Sequence, residues 1–353
     1  MEIMDSDRNT IKIGDYVVVQ RQGYTKLHKL KAHSKLILGS FNIEMDNIVN
    51  EKYSDTFQMK NTPGNKKHYI LEKVQQINSP VETLNIEKSG SDNRHITNDN
   101  EISQVLTKED IDKLKDEELN SNNIVGQLVN NSKTFSMKTE YSQEKYIKKK
   151  EKKYFEYVQI KRPTIRILAQ MFYRQDPTKT LGIRIDDLSQ ILAYANIHSE
   201  GNVVLYDSGT SGLMSAALMN ALGHSSTGQL IHMHPGNECQ RNAFIAMQFP
   251  KEQSERCINV NLYSVLRCFY QQKNTFQEQE EIEEPEAKRQ KTEETSAQKK
   301  SWQLDNERAC KILNEKVDCL IITAKEHPVN IVKELIQFLN GNRNLVVFRR
   351  TQK

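Results

Sequence analysis

Residues 203–218 carry the clearest fold signal in this sequence and read Val203-Val-Leu-Tyr-Asp-Ser-Gly-Thr-Ser-Gly-Leu-Met-Ser-Ala-Ala-Leu218. The apolar start predicts a buried strand, the glycines predict a tight turn, and the second apolar run predicts a helix. Similar runs alternate from about residue 160 onward and include predicted helices at 237–248 and 329–339 and a strand at 345–348. Alternating strands and helices are typical of a parallel sheet, so we predict a Rossmann-like α/β domain.

The predicted turn has the spacing of a cofactor loop but lacks two of its glycines. A methyltransferase loop of the form D-x-G-x-G-x-G lets the backbone approach S-adenosylmethionine (SAM) closely, because glycine has no Cβ. Asp207 and Gly209 fit this pattern, whereas Ser211 and Leu213 stand at the next two glycine positions and Gly212 falls between them. We predict that Asp207, Gly209 and Gly212 form a degenerate loop that binds no cofactor.

Two other positions of a SAM site, at the ends of the second and fourth strands, also lack a well-placed acidic residue. An acid after the second strand would accept hydrogen bonds from the ribose hydroxyls, yet residues 231–236 contain none. The end of the fourth strand offers only Glu326, for which we expect an exposed loop position. His232 and His234 stand two apart in a predicted strand and indicate packing or capping rather than a metal site.

We therefore predict no catalytic residue, no cofactor and no metal in this chain. The alternative is a catalytically active SAM-dependent RNA methyltransferase with an atypical cofactor loop.

Positive charge is concentrated in two blocks, although the net charge of the 353 residues is only +4. No Asp or Glu occurs between Tyr16 and Ile43, where the cations are Arg21, Lys26, Lys29, Lys31 and Lys35. The second block is predicted to be a helix and contributes Lys145, Lys148, Lys149, Lys150, Lys152 and Lys153. Two separate basic surfaces predict a polyanionic partner such as RNA. The alternative for the second block alone is a solvated helix face.

Three tyrosines lie among these cations: Tyr24, Tyr146 and Tyr154. An exposed aromatic ring next to positive charge is a candidate for stacking on an unpaired base. Packing inside the barrel or against the helix is the alternative for each of them. Because phosphate contacts position a nucleic acid without reading its sequence, we expect recognition of RNA shape.

The composition indicates an intracellular chain of two domains. A length of 353 residues is sufficient for two domains, and a hydrophobic content of only 37% predicts that part of the chain is unpacked. The five cysteines include no C-x-x-C pair, which argues against a zinc site or a disulfide framework and indicates a reducing compartment. We expect no membrane span and no signal peptide, because no apolar run is long enough and the N-terminus lacks the pattern.

The chain is predicted to be a two-domain α+β protein, with a small N-terminal β-barrel and a degenerate SAM-methyltransferase-like domain. Residues 1–77 contain short β-prone runs and turn residues, and are assigned to the barrel. Residues 78–138 are predicted to be a linker with short helices, and residues 139–353 to be the Rossmann-like domain. Within it, residues 276–300 predict a disordered insertion whose basic patch is a candidate nuclear signal, so we expect a nuclear location.

Several segments resemble one protein family. They are residues 92–99, 106–115, 124–135 and 138–150, together with Asp207-Ser-Gly209, His234-Pro-Gly236 and residues 317–328. With these segments the chain resembles the non-catalytic subunit of the eukaryotic tRNA (adenine-N1)-methyltransferase, which modifies adenosine 58 in the T-loop. The resemblance covers most of the chain and is weakest in the first 90 residues and in the insertion.

The resemblance implies a subunit without a cofactor that binds tRNA. It also implies a catalytic partner of related fold that binds SAM, in a heterotetramer with two copies of each subunit. The sequence departs from the family by ending at Lys353, just after the predicted fifth strand, whereas the full sheet normally has two further strands near the subunit contacts. We therefore expect an altered assembly geometry or an incomplete gene model.

Overall fold

The computed structural model describes residues 9–62, 65–75, 104–107, 109–111, 114, 121–154, 157–271 and 299–350. The chain divides into two compact units, residues 1–162 and residues 163–353. The insertion predicted at residues 276–300 lies outside the described residues except for its last two, and residues 78–103 of the predicted linker also lie outside them. In the part of the chain that is described, there is no helix whose length and hydropathy would let it span a bilayer.

The first unit is built around a seven-stranded barrel-like sheet. Its strands are β1 (Tyr16–Arg21), β2 (Tyr24–Lys29), β3 (Lys35–Leu38), β4 (Phe41–Glu44), β5 (Thr56–Thr62), β6 (Asn65–Val74) and β7 (Tyr157–Lys161). Their order is β2-β1-β7-β5-β6-β4-β3, and every pairing is antiparallel except that of β4 with β6. The predicted small β domain is therefore confirmed.

Strand β7 comes from the region that the sequence assigned to the second domain. Its residues Val158 and Ile160 are buried in the barrel core with Val17, Val19 and Phe57. The strand pairs with β1 on one side and with β5 on the other, so it joins the two halves of the sheet. For this reason the structure places the boundary between the units after residue 162 and not at residue 139.

Two helices of the first unit lie entirely within the described residues, α1 (Ser121–Asn130) and α2 (Glu140–Tyr154). Ile124 and Leu128 of α1 pack with Ile147 and Tyr154 of α2 in a small core of their own. Leu106 and Phe135 are partly buried against the same core. The described part of residues 104–138 is thus packed structure, whereas the sequence assigned residues 78–138 to a linker with short helices.

The second unit contains a five-stranded parallel sheet in the order β10-β9-β8-β11-β12. Its strands are β8 (Val203–Asp207), β9 (Leu230–His234), β10 (Cys257–Asn261), β11 (Val317–Ala324) and β12 (Leu339–Arg349). Its helices are α3 (Ile165–Gln175), α4 (Ile185–Ala195), α5 (Leu213–Leu222), α6 (Asn242–Ala246), α7 (Lys251–Glu255), α8 (Leu262–Gln271), α9 (Ser301–Glu315) and α10 (Val329–Leu335). The predicted α/β sheet is confirmed, with β8 and α5 on either side of the glycine turn.

Two details of this unit differ from the sequence prediction. The helix expected at residues 237–248 begins only at Asn242, because the backbone before it packs against the turn after β8. Strand β12 begins at Leu339 and not at Leu345, and the helix before it ends at Leu335 and not at residue 339. The register with β11 shifts between Val317 and Cys319, so the extra residues form an irregularity inside the strand.

Candidate functional site

Asp207 ends β8, and its carboxylate is used within the turn that follows. One oxygen accepts hydrogen bonds from the backbone N–H groups of Gly209 and Thr210, both at 2.9 Å. The other oxygen accepts a hydrogen bond from the Thr210 hydroxyl. Asp207 is buried, and through these hydrogen bonds its carboxylate caps the turn that follows it. The N–H groups of Gly209 and Thr210 are therefore engaged within the chain.

Gly209 and Gly212, the two glycines of this turn, lack a Cβ where other parts of the chain approach closely. A Cβ added to Gly209 would lie 2.5 Å from Cε of Lys325, which is the end of a flexible side chain. A Cβ added to Gly212 would lie 2.9 Å from Cα of Arg241 and 2.9 Å from the carbonyl oxygen of Gln240. The second contact is with backbone, which cannot move aside as a lysine side chain can. Gly212 is therefore required for the packing of residues 240–241 on this turn.

Ser211 adopts a left-handed conformation with φ of 55°, which favours glycine. Its hydroxyl donates to the carbonyl of Lys179 at 2.8 Å, and its N–H donates to Oε1 of Gln240 at 3.3 Å. Its carbonyl accepts from the N–H of Ala243 at 3.0 Å. The serine at the second glycine position is thus held by hydrogen bonds to two other segments of the second unit, at residue 179 and at residues 240–243.

The strand ends next to this loop offer no carboxylate at the ribose position. Beyond β9, Nδ1 of His234 lies 2.7 Å from the carbonyl oxygen of Gly236, and that carbonyl also accepts from the side chain of Asn261 at 2.9 Å. Glu326, the candidate beyond β11, is exposed and accepts a hydrogen bond from the hydroxyl of Tyr206. Burial and the glutamate raise the pKa of Tyr206 above its ordinary range.

Asp207 also faces a buried histidine. Nε2 of His232 on β9 lies 3.7 Å from Oδ2 of Asp207, and each side chain is 2% exposed. Burial opposes both charges, yet His232 holds the pKa of Asp207 below its ordinary value. Burial likewise opposes the charged imidazole, but Asp207 and Cys239 raise the pKa of His232 well above its ordinary value. The two side chains therefore form a buried ion pair between β8 and β9.

Helix α2 has a buried stripe and an opposite row of lysines. Its buried residues are Gln143, Ile147 and Tyr154, whose spacing of four and seven residues places them on one face. Three exposed lysines with the spacing i, i+4 and i+7 lie on the other side, and we call them the lysine ridge: Lys145, Lys149 and Lys152. None of the described residues forms an ion pair with any of these three lysines.

The other lysines of this block have neighbours on the helix. Lys148 forms an ion pair with Glu144. Nζ of Lys150 lies 5.2 Å from the ring centroid of Tyr146, and burial together with the neighbouring lysines lowers the pKa of Lys150. Nζ of Lys153 lies 5.4 Å from the ring centroid of the tyrosine that follows it. These three cations are less available to a partner than the lysine ridge.

The candidate stacking tyrosines have different environments. Tyr154 is buried, and Tyr146 is partly buried with an edge contact to Phe135 at a centroid distance of 5.6 Å. Tyr24 on the barrel is 50% exposed. Tyr141, which the sequence pattern assigned to the apolar stripe of this helix and not to the stacking candidates, is 73% exposed and stands four residues before the first lysine of the ridge. The spacing of the buried stripe, which excludes position 141, is the signal that would have found it.

The basic residues of the barrel do not share one face. Lys26 and Lys29 are three positions apart on β2, and an odd spacing puts them on opposite faces of a strand. Nζ of Lys26 donates to the carbonyl of Ile37 on β3 at 2.6 Å, and it thereby links the two edge strands of the sheet. Nζ of Lys29 lies 5.5 Å from the ring centroid of Tyr16. Lys26 therefore has a structural role in addition to the one predicted for it.

Two more of these cations are engaged within the barrel. Nζ of Lys35 lies 3.4 Å from Oε1 of Glu44, and the guanidinium of Arg21 lies 4.5 Å from the ring centroid of Phe41. Lys31 is exposed in the turn before β3. The structure brings the lysine ridge together on one face, whereas it distributes the five barrel cations over several surfaces.

Most of the chain matches the model of one protein family. The model of the Gcd10p family matches residues 10–300, which include α2, the barrel and the degenerate loop. The chain belongs to the Gcd10p family. This membership confirms the resemblance seen in the sequence segments.

Curated relatives of this Gcd10p-family chain carry a consistent name. The tRNA (adenine(58)-N(1))-methyltransferase non-catalytic subunit of Mus musculus is 35% identical over 238 residues, which are 67% of this chain and 46% of that protein. The protein of the same name from Dictyostelium discoideum is 32% identical over 228 residues, which are 64% of this chain and 43% of that protein. The chain thus spans less than half the length of these relatives. A solved SAM-dependent O-methyltransferase of Thermotoga maritima is similar at 12% identity and a TM-score of 0.44, with 100% of this chain and 78% of that chain covered.

This Gcd10p-family chain has one candidate site in each of its two units. In the second unit, Asp207, Gly209 and Gly212 meet in one turn, as the sequence predicted, but their contacts are with the chain itself. The candidate site of the first unit is the lysine ridge. Among the described residues, no group of three or more His, Cys, Asp or Glu side chains is arranged to hold a metal ion.

Proposed function

We propose that this chain is the non-catalytic, tRNA-binding subunit of a tRNA (adenine-58-N1)-methyltransferase. Membership of the Gcd10p family and the names of its relatives support this function. A catalytic partner of related fold supplies SAM and the reacting groups, and the assembly contains two copies of each subunit. The proposal includes a nuclear location, for which the basic patch at residues 288–291 is the sequence argument.

The loop after β8 supports the absence of a cofactor in this subunit. The observation that carries this conclusion is the contact of Gly212 with the backbone of residues 240–241, because that space cannot be cleared by moving a side chain. The N–H groups of Gly209 and Thr210 are engaged by Asp207, and the N–H of Ser211 is engaged by Gln240. These residues do not fit SAM, because Gly212 is packed against backbone and the N–H groups of residues 209–211 already have acceptors.

The lysine ridge supports the RNA-binding part of the proposal. Each exposed lysine can neutralise a phosphate and release a counterion, which makes binding favourable and dependent on salt. From Lys145 to Lys152 the ridge extends roughly 10 Å along the helix. Exposed Tyr141 adds an aromatic surface near it that can stack on an unpaired base. Such contacts recognise the shape of a folded tRNA and not its sequence.

Methyl transfer to tRNA tests the proposed function. The chain and the catalytic subunit that co-purifies with it are expressed, mixed, and assayed for SAM-dependent methylation of adenosine 58. We expect methylation by the mixture and none by this chain alone, and a tRNA with guanosine at position 58 is the control. Methylation by this chain alone would instead favour an active methyltransferase with an atypical loop.

A further inference from the structure

One tyrosine of α2 has two lysine ammonium groups against its ring. Nζ of Lys150, one helical turn further along, lies 5.2 Å from the ring centroid of Tyr146. Nζ of Lys138, just before the helix begins, lies 4.9 Å from the same centroid. All three residues are partly exposed, and we call them the Tyr146 cluster. A single lysine over an aromatic ring is a common contact, but two lysines on one ring concentrate positive charge there.

Hydrogen bonds hold the parts of the first unit that carry this cluster. The backbone N–H of Lys138 donates to the carbonyl of Phe135 at 3.1 Å, and its own carbonyl accepts from the side chain of Gln143 at 2.9 Å. The hydroxyl of Tyr146 donates to Oε1 of Gln104 at 3.3 Å. The fold therefore fixes the ring and the backbone of Lys138, while the flexible lysine side chains can adjust to a ligand.

The positive charge of the Tyr146 cluster is not neutralised by the part of the chain that the structure describes. Within that part, neither Lys138 nor Lys150 forms an ion pair. Burial, followed by three neighbouring lysines, lowers the pKa of Lys150. In order of effect, these neighbours are Lys153, Lys149 and Lys138. Every neighbouring charge that shifts this pKa is thus positive, and an anion bound at the cluster would offset the repulsion.

A buried hydrogen-bond donor next to the cluster also lacks an acceptor. Nε2 of Gln104 is buried and has no hydrogen-bond partner among the described residues, although Oε1 of the same side chain accepts from Tyr146. Buried polar atoms nearly always have a partner, so a donor without one favours an acceptor that a ligand brings. Two ammonium groups and an amide nitrogen are all donors, which is the set that an oxyanion requires.

We infer that the Tyr146 cluster binds one phosphate group of an RNA backbone, and that Lys138 and Lys150 both contact that group. The inference rests on the proposed tRNA binding and assigns one phosphate position to it. A phosphodiester brings the negative charge and the acceptor oxygens that these donors lack. Lys149 of the lysine ridge is one of the charges that act on Lys150, so the cluster adjoins the ridge. The ridge and the cluster therefore contact neighbouring phosphates of the same RNA.

Lysine labelling of the full-length wild-type chain tests the inference without a substitution. The chain is acetylated with limiting acetic anhydride, alone and with tRNA, and the rate at each lysine is measured by mass spectrometry. We expect tRNA to slow the acetylation of Lys138 and Lys150 at least about fivefold, because a bound phosphate covers the amines and favours their charged, unreactive form. Exposed Lys333 of the second unit is the control and should react at an unchanged rate.

The labelling pattern separates this inference from the proposed function. Protection of the lysine ridge without protection of Lys138 and Lys150 would overturn the inference and leave tRNA binding standing. Protection of no lysine would contradict tRNA binding itself, and the inference with it. Inorganic phosphate at a matched phosphate concentration should protect neither lysine of the cluster. Equal protection by inorganic phosphate would assign the cluster to the free anion and would overturn the RNA backbone as its ligand.

A K138Q/K150Q variant of the full chain measures how many phosphates the cluster binds. We expect the slope of log affinity for tRNA against log salt to fall by about 1, because the two lysines share one phosphate. K138R/K150R keeps both charges and should keep the wild-type slope. An unchanged slope in folded K138Q/K150Q, or a fall of about 2, would contradict a single shared phosphate. Circular dichroism reports folding, and the wild-type labelling decides the inference where the substitutions prevent it.

Discussion

Replacing the lysine ridge with glutamine, as K145Q/K149Q/K152Q, is expected to weaken tRNA binding by roughly ten- to a hundredfold at moderate salt. The three side chains are exposed and lie opposite the buried stripe of α2, so their loss removes phosphate contacts without disturbing the helix core. The slope of log affinity against log salt should fall by about 2 to 3, because each lysine that contacts a phosphate contributes slightly less than one. Filter binding or fluorescence anisotropy over a range of salt concentrations measures both quantities.

A second triple variant controls for the change in net charge. Lys251, Lys311 and Lys333 are exposed lysines of the second unit. Their replacement by glutamine changes the net charge by the same amount as the ridge variant does. We expect this variant to bind tRNA nearly as the wild type does. If the ridge variant keeps wild-type affinity, or if both triple variants lose affinity equally, α2 is only a solvated helix face and the RNA-binding part of the proposal is wrong.

Replacing Asp207 with alanine is expected to destabilise the second unit by about 3–5 kcal/mol, because it leaves the buried charge of His232 without a partner. It also leaves the N–H groups of Gly209 and Thr210 without their acceptor. Asp207→Asn should cost less, since its side-chain oxygen can still accept from both N–H groups. Urea unfolding followed by the fluorescence of Trp302, which lies in α9 of this unit, measures the effect.

The same pair predicts a dependence of stability on pH. The folded-state pKa of Asp207 is below its ordinary 3.8, so its contribution is present above that pH and is lost as the pH falls through the lowered value. The folded-state pKa of His232 is above its ordinary 6.5, so its contribution is present below that pH and is lost as the pH rises through the raised value. The stability difference between wild type and Asp207→Asn should therefore be largest between pH 3.8 and 6.5.

Asp186→Asn provides the matched control for these measurements. Asp186 pairs with Arg184 on the surface of the same unit, where solvent screens the interaction. We expect no measurable change in the unfolding midpoint for this variant. An Asp207→Ala variant as stable as Asp186→Asn would show that the buried pair does not hold β8 and β9 together.

Local patterns in the sequence were sufficient to predict the parallel sheet, and they suggested the hypothesis of a degenerate loop beside it. The alternation of strands and helices predicted the parallel sheet, and the absence of glycine at positions 211 and 213 predicted a degenerate turn. The surroundings of the two glycines are tertiary, because Gly212 lies against the backbone of residues 240–241 and Gly209 lies against Lys325, which is 116 residues away in sequence. Spacing within one segment carries no information about such contacts.

Predicting the boundary between the units and the exposed face of α2 that carries the lysine ridge would have required similar long-range information. Strand β7 follows a helix and precedes an α/β pattern, and only its pairing with β1 and β5 assigns it to the barrel. The buried stripe of α2 was obscured because one of its members is Gln143, a polar residue. Its side-chain amide donates to the carbonyl of Lys138 at 2.9 Å, which allows it to be buried.

A calorimetric titration of SAM into the isolated chain and into its complex with the proposed catalytic partner tests whether this chain binds the cofactor. The engaged loop after β8 predicts no binding by the isolated chain and one SAM for each catalytic subunit in the complex. Micromolar binding of SAM to the isolated chain would contradict the proposed function and would assign this subunit a catalytic role.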